Sequence, residues 1–103
     1  MTIQALPQRV VIPGFVARFV HTDTMTLAYW EVEKDAVLPL HAHLHEQVTQ
    51  VEEGSFEMTV DGVTQTYGPG ELVVIPAYVE HSGRALTDCR LFDIFSPVRE
   101  DYR

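Results

Sequence analysis

Short segments in which apolar and polar residues alternate make up most of this 103-residue chain. Alternation at every second position is typical of β-strands that bury one face, and Gly and Pro residues separate the segments. It predicts strands at MTLAYWEVE (Met25 to Glu33), QVTQVEE (Gln47 to Glu53), FEMTV (Phe56 to Val60), ELVVIP (Glu71 to Pro76) and CRLFDIF (Cys89 to Phe95). No segment has the length and period of an amphipathic helix. We therefore expect an all-β sandwich or small barrel, with a single domain over residues 1–103.

One turn in this pattern can be predicted in detail. Asp61-Gly62 is a dipeptide that accommodates the positive φ angles of a two-residue hairpin turn. Phe56–Val60 is therefore expected to pair antiparallel with Val63–Tyr67. Glycines on both sides of this hairpin are expected to interrupt the ladder.

The charge balance excludes several classes of partner. Fifteen Asp and Glu residues against seven Lys and Arg residues give a formal net charge of −8, and no basic patch is visible. Nucleic acids and anionic membrane surfaces are therefore not expected as partners. No leader or membrane-spanning run is found, so a cytoplasmic protein is expected. The single cysteine, Cys89, has no partner for an internal disulfide and is expected to be a half-buried strand residue.

Three of the five histidines lie within five residues, in the segment LPLHAHLHEQ. If this segment is a strand, the side chains of His41 and His43 leave the same face, with their Cα atoms about 6.6 Å apart. That separation allows two imidazoles to bind one ion. The same parity places His45 and Gln47 on that face and Glu46 on the other. A histidine pair alone is weak support for a metal site, because such pairs also occur at protein surfaces.

Two spaced motifs, however, resemble those of the cupin superfamily. The first consists of His41, His43, Gln47 and Gly54, and the second of Gly70, Pro76 and His81. The resemblance implies a double-stranded β-helix, the jelly-roll barrel of cupins, with its core over residues 25–98. It also implies that His41, His43, Gln47 and His81 bind one divalent transition metal, such as Zn, Ni, Mn or Fe.

Some residues depart from the family pattern or have open roles. Gln47 replaces the usual glutamate, and it either ligates the metal or hydrogen-bonds a ligand or water. Asp35 and Tyr78 replace glycines; Asp tolerates the left-handed conformation that such a position requires. His45 is expected to support a ligand or to be exposed, and His21 is expected to be solvated and uninvolved.

The C-terminal segment FDIFSPVREDY adds a second group of candidate residues. Asp93 and Phe95 share a strand face with Leu91, so a carboxylate is expected among apolar side chains. Burial raises the pKa of a carboxyl group and makes it a candidate general base. The alternative is that Asp93 caps a loop or pairs with an arginine.

With the two motifs, this segment resembles the small cupins of the pectin-degradation type. The resemblance implies conversion of 4,5-unsaturated monouronates from pectin or alginate breakdown into linear keto sugars. Asp93 would then move protons, Arg99 would grip the carboxylate of an anionic sugar, and Phe95 would exclude water.

Other functions remain open. They are a metal-dependent dioxygenase of the quercetinase or thiol-oxidising kind, a non-catalytic cupin that binds a sugar or another small ligand, and a structural or storage module without metal. The segments VVIPGFVARFV (Val10 to Val20) and RLFDIF (Arg90 to Phe95) are apolar on both parities. This is more than one buried sheet face needs, so a homodimer with a twofold axis is expected.

Overall fold

The computed structural model describes residues 1–103, which form ten β-strands and no α-helix. The strands are β1 (Arg9–Ile12), β2 (Phe15–His21), β3 (Thr26–Val32), β4 (Val37–His41), β5 (Glu46–Glu53), β6 (Phe56–Val60), β7 (Val63–Tyr67), β8 (Leu72–Ile75), β9 (His81–Ala85) and β10 (Cys89–Ser96). Short 3₁₀ turns lie at Ile3–Ala5 and Glu100–Tyr102. The predicted all-β fold is confirmed, and each of the five predicted segments contains a strand.

The strands form two antiparallel sheets. One has six strands in the order β1-β2-β3-β10-β5-β8, and the other has four in the order β4-β9-β6-β7. Side chains from both sheets meet in one core, where the Phe15 ring packs edge-on against Trp30 and Phe56 at 6.0 and 6.4 Å. Along β10, the alternate residues Cys89, Leu91, Asp93 and Phe95 are buried, as the period-two pattern predicts.

The backbone at the turns follows the expected chemistry. Asp61 and Gly62 have φ angles of 49° and 78°, and β6 pairs antiparallel with β7 across them. Asp35 and Tyr78, which replace family glycines, also adopt left-handed φ angles of 70° and 66°. The fold therefore keeps the glycine-like backbone at both positions, although a tyrosine is sterically unsuited to it.

Strand β9 was not predicted, because its sequence, HSGRA, contains residues that form strands poorly. Packing explains the glycine within it. A Cβ on Gly83 would lie 2.6 Å from the Phe56 ring, so the missing side chain leaves room for that ring. Burial of Phe56 against β9 thus overrides the low strand propensity.

Cys89 begins β10 as predicted, but it is fully buried rather than half-buried. None of the helical segments has the length and apolar character needed to cross a lipid bilayer.

Candidate metal centre

Three histidines meet where β4 ends and β9 begins. His41 is the last residue of β4 and His81 the first of β9, and the two are direct partners in the ladder. His43 was expected on the same strand as His41, but β4 ends at His41 and His43 lies in the following loop. The ring centroids are 4.1 Å apart for His41 and His81, and 4.9 Å apart for His43 and His81.

Backbone carbonyls fix the tautomer of each ring. The Nδ1 atoms of His41, His43 and His81 lie 2.7, 2.9 and 2.9 Å from the carbonyl oxygens of residues 39, 45 and 79. A carbonyl oxygen can only accept, so each Nδ1 carries the hydrogen. The lone pair of each imidazole is therefore on Nε2. Metal-binding histidines typically donate the hydrogen of their other ring nitrogen to a carbonyl in this way.

The three histidines fit a divalent transition metal. Their candidate donor atoms all lie within 4.8 Å of one another, and the Nε2 of His81 is buried without any hydrogen-bond partner. Burial lowers the pKa of His43 and lowers that of His81 to about 4, so both rings are neutral near pH 7, as ligation requires. Neutral imidazoles suit Zn, Fe, Ni and Cu.

Gln47 lies beside this cluster on β5. Its side chain is buried whereas that of Glu46 is exposed, in agreement with the alternation. The Gln47 amide nitrogen donates to the Thr49 hydroxyl at 2.9 Å, which turns Oε1 toward His43. That oxygen lies 3.1 Å from the His43 Nε2, the nitrogen without a hydrogen. Two acceptors at this distance repel each other unless a cation lies between them, so Gln47 also fits the metal.

The loop that carries His43 is held from two sides. The Tyr78 backbone N–H donates to the His43 carbonyl at 2.7 Å, from the residue with the strained φ angle. His45 supplies the carbonyl that accepts from the His43 ring, and its own side chain is buried. Exposure of His45, one of the two expectations for it, is therefore wrong.

The histidine cluster opens onto a cavity of about 260 Å³ between the two sheets. His41, Gln47, Asp93, Phe95 and Arg99 all line this cavity. Its remaining lining residues are mostly apolar and include Val11, Ile12, Phe15, Trp30, Leu38, Phe56 and Met58. Candidate residues from the first histidine motif and from the C-terminal segment thus face one common space.

Asp93 is the buried acid of the cavity wall. It is 5% exposed, and its Oδ1 has no hydrogen-bond partner. Burial raises its pKa from the ordinary 3.8 to about 6, while the polar side chains of Thr49, Trp30 and Gln47 and the charge of Arg99 oppose part of that rise. Asp93 does not pair with the arginine and caps no loop, in contrast to the alternative roles considered for it.

Arg99 is held by a partner that the sequence analysis missed. Its Nε and Nη2 donate to the two carboxylate oxygens of Asp101 at 2.9 and 2.7 Å. Its guanidinium carbon lies 4.8 Å from the centre of the Phe95 ring and 4.2 Å from that of Tyr102. The spacing Arg-x-Asp in VREDY was the available signal, because residues two apart can share a side in an extended tail. One edge of the guanidinium is occupied, and Nη1 makes no hydrogen bond to the protein.

The C-terminal tail is fastened to the first strands of the six-stranded sheet. Arg9 donates to the carbonyls of Tyr102 and Asp101 at 2.9 and 3.1 Å, and the Arg99 N–H donates to the Thr26 hydroxyl at 2.9 Å. His21 lies 3.2 Å from the Tyr102 carbonyl and 2.9 Å from the Thr26 hydroxyl. His21 is therefore outside the histidine cluster, as expected, but it anchors the tail and is not merely solvated.

Comparisons with known proteins agree with this architecture. The family model for the cupin domain matches residues 28–95. The chain is 28% identical to KdgF from Halomonas sp., with a TM-score of 0.93 over 99% of this chain and 96% of that one. It is 29% identical to an RmlC-like cupin from Shewanella frigidimarina NCIMB 400, with a TM-score of 0.95 over 100% of this chain and 94% of that one.

A more distant structure shares only the fold. Salicylate 1,2-dioxygenase from Pseudoaminobacter salicylatoxidans is 22% identical, with a TM-score of 0.79 over 84% of this chain and 26% of that one. No curated protein sequence matches the chain. The family model covers well over half of the residues, and the three-histidine cluster lies where the cupin motifs predict it. The chain belongs to the cupin family.

Proposed function

We propose that this cupin is a metal-dependent enzyme that converts 4,5-unsaturated monouronates into linear keto sugars. The observation that carries the proposal is the position of Asp93, a buried carboxyl group with a free oxygen, in the same cavity as His41, Gln47 and Arg99. The resemblance to KdgF over nearly the whole of both chains supports it. The cavity of about 260 Å³ is small for a ligand site and suits one sugar ring better than several.

The reaction needs a group that moves one proton. In the cyclic substrate the ring oxygen joins C1 to C5, and C5 is double-bonded to C4. When Asp93 takes the proton of the C1 hydroxyl, the C1 carbonyl forms and the bond from C1 to the ring oxygen breaks. The electron pair leaves with the ring oxygen as an enolate, and return of the proton to C4 gives the C5 ketone. The sum is an isomerisation that needs no other reagent.

The pKa of Asp93 suits both halves of this transfer. With a pKa of about 6, the carboxylate is mostly ionised at neutral pH and its conjugate acid is still a competent donor. A divalent cation held by His41, His43, Gln47 and His81 would supply Lewis-acid polarisation of the substrate oxygens. The Nη1 edge of Arg99 is available to a substrate carboxylate, and the Phe95 ring, 4.8 Å from the guanidinium carbon, would shield that ion pair from water.

The test combines metal analysis with an assay of ring opening. Purified protein should contain about one divalent metal per chain and should accelerate the loss of ultraviolet absorbance of the conjugated double bond in unsaturated galacturonate. Asp93→Asn should retain the metal and lose at least about 100-fold in kcat, within the usual contribution of a general base. Asp23→Asn, in an exposed turn, is the matched control and should keep full activity. A fully active Asp93→Asn variant would exclude Asp93 as the base.

The apolar lining of the cavity favours one second candidate. Ten of its sixteen lining residues are hydrophobic, which is more than a polar sugar needs and would suit the body of an aromatic substrate. A metal-dependent dioxygenase is the cupin activity that such a substrate indicates. Consumption of oxygen with a flavonol or a hydroxybenzoate, without activity on unsaturated uronates, would favour this candidate over the isomerase.

A further inference from the structure

Trp30 is the only tryptophan of the chain, and its indole nitrogen makes no hydrogen bond to the protein. The residue lies on β3, is 7% exposed and lines the cavity together with Asp93. A buried indole N–H normally finds an acceptor, because a donor that leaves water without one is destabilising. The exception at Trp30 therefore points to an acceptor that the protein itself does not supply.

Asp93 carries the complementary unpaired atom. Its Oδ1 is buried and also lacks a hydrogen-bond partner. The direct ladder partner of Trp30 is Leu91, so Asp93 is the diagonal neighbour of Trp30 on the same face of the sheet. Diagonal neighbours lie about 7 to 8 Å apart, within the reach of an aromatic side chain. Burial raises the pKa of Asp93, and the Trp30 N–H is near enough to oppose part of that rise. An unpaired donor and an unpaired acceptor thus lie side by side in the cavity wall.

Three aromatic side chains hold the indole ring in place. Phe15, Phe19 and Tyr102 contact Trp30 edge to face, with centroid distances of 6.0, 5.9 and 6.2 Å and interplanar angles of 84°, 86° and 76°. The N–H cannot turn toward another acceptor unless these rings repack. The direction of the donor is therefore set before a ligand enters, which lowers the entropic cost of binding.

We propose that the Trp30 N–H and the Asp93 Oδ1 together bind one hydroxyl group of the ligand. A hydroxyl group accepts from the indole and donates to the carboxylate at the same time, whereas an ether, a ketone or a carboxylate cannot donate. Water has the same bonding pattern, so the ligand hydroxyl replaces a water molecule without loss of hydrogen bonds. If the proposed function is correct, and the identity of the group rests on it, this hydroxyl is the one at C1 of the uronate.

The position of Trp30 gives it a role in the reaction as well as in binding. When Asp93 takes the proton, the O–H bond breaks and its electron pair forms the C1 carbonyl. Negative charge develops on this oxygen during the transfer, and the Trp30 N–H donates to the same atom throughout. A hydrogen bond to an oxygen that gains charge is stronger in the transition state than in the bound substrate. Its loss is therefore expected to lower kcat more than it raises KM.

The first experiment observes the contact directly. Because Trp30 is the only tryptophan, the protein labelled with ¹⁵N and reconstituted with zinc, which is diamagnetic, gives a single indole N–H signal in its NMR spectrum. Galacturonate, whose saturated ring cannot complete the isomerisation, should move this signal downfield. Its 1-deoxy analogue, which has hydrogen in place of the C1 hydroxyl, should bind at least about tenfold more weakly in titration calorimetry, since it leaves both buried atoms unpaired. An indole signal that galacturonate leaves in place would overturn the proposal.

The second experiment removes the N–H and keeps the shape of the ring. In a host that cannot make tryptophan, β-(3-benzothienyl)alanine, with sulfur in place of the N–H, can be incorporated at position 30 alone. This replacement should lower kcat on unsaturated galacturonate about 10-fold to 100-fold, with a smaller change in KM. Tyr29→Phe is the matched control, because Tyr29 stacks on Phe92 on the opposite face of the sheet, and it should keep both constants.

The outcomes separate this inference from the proposed function. An unchanged kcat after the replacement at Trp30 would overturn the role of the indole and leave the isomerase intact. A downfield shift of the indole signal with galacturonate, in a protein that does not turn over unsaturated galacturonate, would support hydroxyl binding by Trp30 and exclude the proposed reaction.

Discussion

Replacing Asp93 with Asn should stabilise the folded protein, and the gain should grow with pH. The pKa of Asp93 is raised from 3.8 to about 6 in the folded state, chiefly by burial. Between these two values the folded chain holds a proton that the unfolded chain has lost, so the free energy of unfolding falls as pH rises. Each pKa unit corresponds to about 1.4 kcal/mol. Relative to a side chain that does not titrate, Asp93 therefore destabilises the fold by about 1 kcal/mol at about pH 4.5, where folding takes up a proton, and by about 3 kcal/mol at about pH 8, where the buried group is ionised.

The assay is urea unfolding of the wild type and Asp93→Asn at both pH values, with a chelator present so that metal binding contributes nothing. The stability difference between the two proteins should increase by about 2 kcal/mol from the acidic to the alkaline condition, a relative midpoint shift of about 1 M. Histidine titration affects both proteins equally and cancels. Asp23→Asn should show no such change with pH. If the difference in unfolding free energy between the two proteins is constant, or shrinks as pH rises, burial does not raise the pKa of Asp93.

Two further variants test the position of Arg99 and the histidine cluster. Asp101→Asn removes one charge-assisted acceptor from Arg99, so KM for an unsaturated uronate should rise roughly tenfold with little change in kcat. The control is Glu100→Gln, which loses only a surface ion pair of 3.8 Å. An unchanged KM in Asp101→Asn would count against a positioning role for Asp101. His81→Ala should lower affinity for a divalent metal more than about 100-fold by titration calorimetry, since it removes one of three converging imidazoles, whereas His21→Ala should bind metal normally. Equal affinities in these two histidine variants would show that the cluster is not the metal site.

Much of the fold could be predicted because its determinants are local. Alternation along β3, β5, β6, β8 and β10 reports directly which face is buried, and Asp61-Gly62 carries its own turn chemistry. Strand β9 could not be predicted in this way. Its glycine is selected by the Phe56 ring on a neighbouring strand, which is a tertiary contact that periodicity does not record.

The candidate site, like the fold, could be predicted only in part. Spacing and resemblance bring out His41, His43 and His81, and the structure places these residues together. The same reasoning assumed a regular strand through His43, whereas a loop carries it and a backbone bond from Tyr78 holds it. Asp101 was not predicted as a partner of Arg99, because the resemblance implies a substrate carboxylate in that role. The spacing Arg-x-Asp allows this pair, and the three-dimensional contact shows that it forms and occupies one edge of the guanidinium.

The fastening of the tail has a consequence for the order in which the protein assembles. Arg9 contacts the carbonyls of Asp101 and Tyr102 across 92 and 93 residues, which are nearly the longest separations the chain allows. Closing so large a loop carries the greatest entropic cost, so these contacts are expected to form late in folding and to fray early. The histidines lie between positions 41 and 81, so bringing them together closes a shorter loop at a smaller entropic cost. We therefore expect the tail that carries Arg99 to detach from the barrel before the histidine cluster comes apart.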